Sequence, residues 1–120
     1  MRGRILSVRD SVRAAWWALC AIRSARRQLR RGNLGELVLA PPPALPYRAG
    51  LGVGFVLSFL RPSCLERALV LQRWLAAHGR HQEVVVGVTT AGGAFAAHAW
   101  VDGEESWQRG EFEEIARLAP

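Results

Sequence analysis

The sequence predicts an α+β fold: N-terminal helices, then one more helix followed by a small antiparallel sheet. Two observations carry this. Apolar residues recur at three- and four-residue spacing over residues 4–31 and again over 64–78, the mark of amphipathic helices. From residue 83 onward, short apolar runs alternate with Gly-bearing turns, the mark of strands. With 120 residues, half of them hydrophobic, the chain is expected to be one domain with a core of modest size.

The first helix, over 4–31, carries Ile5, Val8, Val12, Ala15/Trp16, Leu19 and Ile22 on one face. Arg9, Arg13, Arg23, Arg27, Arg30 and Arg31 lie mostly elsewhere on it, and Gly32-Asn33 ends it. A stiff extended connector, Ala40-Pro41-Pro42-Pro43-Ala44-Leu45-Pro46, follows. Residues 1–46 thus form a basic helical region and connector, and 47–120 hold the functional core. Residues 47–60 fit a glycine-diluted helix.

The helix over 64–78 has the clearest signals. Ser63 and Glu66 form an S-x-x-E capping box, and Pro62 discourages an earlier start. Leu65, Ala68, Leu69, Leu71, Gln72 and Leu75 make a broad, mostly apolar face, and Gly79 is the expected stop. Residues 83–89 (EVVVGVT) are expected as a buried strand, 95–101 (FAAHAWV) as a second and 105–109 as a third, with Asp102-Gly103 as a tight turn. These three form a meander in chain order, and residues 111–118 are expected to finish as a short helix.

Formal net charge is +6, and all 16 basic residues are Arg. Residues 1–60 hold ten Arg and two acids, whereas 61–120 hold six Arg and eight acids, so the basic character belongs to the N-terminal half. No nucleic-acid motif accompanies it. No run approaches the ~18–20 apolar residues of a membrane span, and the apolar stretch 14–22 is too short and too Arg-flanked for a signal peptide. The chain is therefore expected in the cytoplasm. Two distant cysteines and three scattered histidines lack paired metal-ligand spacing, so neither metal nor other cofactor is expected.

Chemistry centres on Cys64. It falls at the first helical position, where backbone N–H groups and the helix dipole favour negative charge, and the thiolate is the nucleophilic form. It needs a base. His78 lies at the far end of the same helix, about 20 Å away at ~1.5 Å per residue, and His81 in the turn beyond it. His98 lies mid-strand, sharing a face with Trp100, and its small neighbours Ala97 and Ala99 leave room for another element to approach. A helix N-terminus packed on such a strand brings thiol and imidazole together, with a third polar group to orient the ring.

Asp102, Glu105, Gln108 and Glu111 are the candidates for that third group. If the turn centres on Gly103-Glu104, His98 lies opposite Arg109 with Glu111 diagonal; if on Asp102-Gly103, it faces Trp107 with Glu105 and Arg109 diagonal.

Cys64-Leu65-Glu66-Arg67, Gly79, Val86-Gly87-Val88 and His98-Ala99-Trp100-Val101 together resemble the leader peptidases of lasso-peptide biosynthesis, small members of the transglutaminase-like (papain-like) cysteine protease superfamily. The likeness covers roughly residues 61–103. It implies a transglutaminase-like core and a cysteine peptidase that removes the leader from a ribosomally made precursor peptide. It implies as partners a separate leader-binding protein and a lasso cyclase. Carried over, Cys64 is the nucleophile and His98 the base. The family's acidic member follows the His-Ala-Trp-Val strand, and there this chain is shortened and has no Asp at the usual place; Glu111 is the first choice and Asp102 the second. Trp100 or Trp107 is expected to line a peptide groove. The alternative within the same fold is a peptide-presenting subunit with an inert Cys64.

Overall fold

The computed structural model describes residues 8–32, 37–90, 93, 96–103 and 112–120. Among them lie three α-helices, α1 (Val8–Arg30), α2 (Gly50–Leu60) and α3 (Cys64–Ala76), and three strands, β1 (Val84–Thr89), β2 (Ala96–Val101) and β3 (Glu113–Leu118). The fold is α+β. No helix among the described residues is long and apolar enough to cross a membrane.

The chain forms two compact units, Met1–Pro62 and Ser63–Pro120. The sequence divides at 46/47, but the connector belongs with α1. Trp17 Nε1 donates to the Ala40 carbonyl at 3.1 Å, and Gln28 brackets Val38, donating to its carbonyl at 2.7 Å and accepting from its N–H at 2.9 Å. A 3₁₀ turn at Tyr47–Ala49 leads into α2, which packs on α1 within the same unit. The approach is close enough to require Gly52: a Cβ there would collide with the Ser11 carbonyl oxygen. α2 ends at Arg61 in the left-handed conformation (φ 49°), uncommon for a residue with a side chain.

The second unit opens with α3. Ser63 Oγ accepts from the Glu66 N–H at 3.2 Å, and Glu66 Oε1 accepts from the Ser63 N–H at 3.0 Å, the reciprocal bonds of a capping box. At its far end Gly79 takes φ 83°, with Arg80 N–H donating to Leu75 O and Gly79 N–H to Ala76 O, a Schellman closure. Ala68, Leu69, Val70, Trp74 and Leu75 are buried on α3, as are Val84 and Val85 on β1 and Ala99, Trp100 and Val101 on β2. α3 lies mainly against β2. Gln72, buried among these apolar residues, donates from Nε2 to the carbonyls of Gln82 (3.0 Å) and Leu118 (2.8 Å), tying the helix to the entry of β1 and the end of β3, which lie side by side.

The sheet corrects one expectation. Among the described strands its order is β2-β1-β3, with β1 antiparallel to both neighbours. Residues 113–118 form a strand where a helix was expected. Glu113-Glu114-Ile115-Ala116-Arg117-Leu118 is rich in helix formers, but the open edge of the apolar β1 supplies a ladder that outweighs local preference. The expected strand 105–109 lies outside the described residues. Gly103 takes φ 91° in the turn after β2, as the Asp-Gly signal anticipates.

Candidate active site

The second unit holds a cleft lined by Cys64, Arg67, Ala68 and Leu71 of α3 and by His98, Ala99, Trp100 and Val101 of β2. Each element delivers its residue for a local reason. The capping box sets where α3 begins and so puts Cys64 on its first turn. Its two side-chain bonds engage the N–H groups of Ser63 and Glu66, leaving those of Cys64 and Leu65 outside the box. Cys64 is half-buried and a free thiol; Cys20, the other cysteine, is exposed and also free. Ala68 and Ala99, with no side chain beyond Cβ, keep the walls low where helix and strand meet.

His98 is held by rings. It stacks on Trp100 (centroids 5.8 Å apart, planes at 24°) and is tilted against Phe112 (5.7 Å, 42°), while Trp100 and Phe112 lie 5.9 Å apart. These three rings gather over Gly87, the residue paired with His98 in the β1–β2 ladder. A Cβ at Gly87 would stand 2.9 Å from the Phe112 Cβ and 3.0 Å from Trp100 Cη2. The glycine in the Val86-Gly87-Val88 stretch is thus the floor on which the imidazole's aromatic brace rests, and the β1–β3 register shifts there, between Val86 and Gly87.

Asp102 sits elsewhere. Its Oδ2 accepts from Arg117 Nη1 at 3.0 Å, and it lines a different cleft, with His81, Gln82, Glu83 and Gly103. Arg117 also bonds Glu114 (2.5 and 2.9 Å) and Glu83 (3.0 Å). These carboxylates, Glu114 foremost, then Asp102 and Glu83, hold the guanidinium well above its ordinary pKa. Glu105, Trp107, Gln108, Arg109 and Glu111 lie outside the described residues. His78 stays at the far end of α3, its Nδ1 at 2.9 Å from the Trp74 carbonyl oxygen and its ring on Trp74.

Cys64 and His98 therefore share one cleft, and Asp102 does not line it. Sequence reasoning passed over Phe112 and the role of Gly87. A glycine inside an otherwise β-branched strand was the available signal, since it marks a close approach.

A thiol at a helix start sharing a cleft with an imidazole on the adjacent strand is an arrangement suited to nucleophilic attack on a carbonyl. The family model for the Transglutaminase-like superfamily matches residues 5–119. The chain belongs to the Transglutaminase-like superfamily. That superfamily includes cysteine peptidases, and the α+β architecture with a helix packed on an antiparallel sheet is consistent with its core. No curated protein and no solved structure is significantly similar to the chain.

Proposed function

We propose that this protein is a cysteine peptidase that removes the leader from a ribosomally made lasso precursor peptide, working with a separate leader-binding protein and a lasso cyclase. The observation that supports it most is the shared cleft of Cys64 and His98. His98 takes the proton from Cys64 Sγ, and the thiolate attacks the scissile carbonyl carbon. The oxyanion receives hydrogen bonds from the Cys64 and Leu65 N–H groups on the first turn of α3. The C–N bond breaks as the imidazolium returns its proton to the leaving amine. Water then hydrolyses the thioester, releasing the leader as its carboxylic acid and restoring the thiol. The Cys-Leu-x-Arg and His-Ala-Trp-Val stretches narrow the substrate from peptides in general to this precursor class.

The test is to incubate the precursor peptide and the leader-binding protein with this chain and weigh the products. A leader and a core fragment are expected with the parent protein and neither with Cys64→Ala. Cleavage undiminished in Cys64→Ala refutes the peptidase reading. Binding of the precursor without cleavage by the parent would instead assign the chain as a presenting subunit.

A further inference from the structure

We propose that Arg67 is a specificity-determining residue of this cleft, reading a carboxylate on the substrate peptide within about two residues of the scissile bond. The inference rests on the peptidase reading above and names what that site selects. Arg67 stands three residues after Cys64 on α3, so the two share a helix face about 4.5 Å apart along the axis. It lines the same cleft as Cys64 and His98 and is the one arginine among the described lining residues; the others described are apolar apart from the thiol, the imidazole and the indole N–H.

Its charge is unspent. Arg117, in the same unit, is saturated by three carboxylates. Arg67 makes no side-chain ion pair with any described residue, and its side chain is exposed. The nearest acid in sequence, Glu66, is turned back into the capping box. A guanidinium kept free beside a nucleophile, on an otherwise apolar wall, presents a fork of donors matched to a carboxylate. Because an extended peptide advances ~3.3–3.6 Å per residue, a group one helical turn from the thiol meets side chains next to the cut bond and not distant ones. The complementary ligand is therefore an acidic side chain, Asp or Glu, flanking the bond that Cys64 attacks.

The experiment uses quenched fluorescent octapeptides carrying Glu, Gln or Arg at each of the two positions on either side of the central bond, with cleavage followed as kcat and KM. At one of these positions Glu is expected to exceed Gln by about tenfold in kcat/KM, the size of one charge-assisted hydrogen-bonding pair. Most of the difference should fall in KM. Arg67→Gln removes the preference, Arg67→Lys restores part of it, and Arg67→Glu shifts it toward the Arg peptide. The same peptides are titrated by anisotropy against Cys64→Ala, with and without Arg67→Gln, so that selection is read even where no bond is cut. Equal handling of Glu and Gln peptides at all four positions in both measurements overturns the assignment, as does a Glu preference that survives Arg67→Gln. Peptides neither cut nor bound overturn it as well. Cleavage that depends on Cys64 but ignores the Glu–Gln difference removes Arg67's role and leaves the peptidase reading standing.

Discussion

Gly87 stands directly opposite His98 in the β1–β2 ladder, and the absence of its Cβ is what admits the Trp100 and Phe112 rings that pack against the imidazole. The pairing makes a backbone position on one strand responsible for a side-chain orientation on the next. Gly87→Ala is the sharpest probe of it. The added methyl meets a Cβ at 2.9 Å, a group fixed to backbone that cannot swing aside. Overpacking of this kind costs about 1–3 kcal/mol, read as a lowered denaturation midpoint. Cleavage should fall further than stability alone accounts for, because His98 moves with its brace. Full activity in a folded Gly87→Ala protein would show that the rings do not position the imidazole.

The capping box gives a second prediction. Ser63→Ala deletes the side-chain acceptor of the Glu66 N–H and leaves only the return bond from the backbone N–H of residue 63 to the Glu66 carboxylate. A loss of about 0.5–2 kcal/mol in stability is expected. Ser63→Asp, which keeps an acceptor, should recover most of it. Thermal melts of the two variants side by side make the comparison, and activity should track the cap because Cys64 follows it immediately.

Gln72 yields a third. Its amide serves two backbone carbonyls, at Gln82 and Leu118, from a buried position on α3. Gln72→Leu keeps the side chain's bulk but leaves both carbonyls without that donor, at a cost of about 1–3 kcal/mol. Amide hydrogen exchange should quicken selectively over residues 113–118, the strand that Gln72 ties down. Uniform quickening across the sheet would mean that the two bonds do not act locally.

The proposed third group of the site is open to a direct comparison. The Asp102 carboxylate is taken up by Arg117 and lines a cleft other than that of Cys64 and His98. Asp102→Asn is therefore expected to keep a larger share of kcat/KM than Glu111→Gln. The reverse ranking would make Asp102 the group that orients His98, and equal, small losses would leave the reaction to a Cys–His pair.

What the sequence disclosed depended on whether its signals were local. α3 was legible from end to end because capping box, apolar spacing and a terminal glycine agree with one another. β1 was legible from its β-branched run, and β2 from a short apolar run closed by an Asp-Gly turn. β3 was not, because its residues favour a helix and only the far edge of β1, some thirty positions back, makes them a strand. The site followed the same division. Cys64 and His98 announce themselves by residue type and setting. Phe112 and Gly87 matter only through a ring cluster that exists once β1, β2 and the approach to β3 are together. The compact units split at Pro62 and not after the proline run, since Trp17 and Gln28 of α1 hold the start of that run and the residue two before it, which no local composition shows.

The placement of β1 between β2 and β3 has a consequence for biogenesis. The central strand emerges from the ribosome before either partner, and its second edge is closed by residues made some thirty positions later. Until Glu113–Leu118 arrives, Val84-Val85-Val86 presents an unpaired, β-branched, uncharged ladder, the kind of edge that recruits other chains. Nascent chains stalled before Glu113, or proteins clipped there, are thus predisposed to aggregate, whatever the state of the Cys64–His98 cleft.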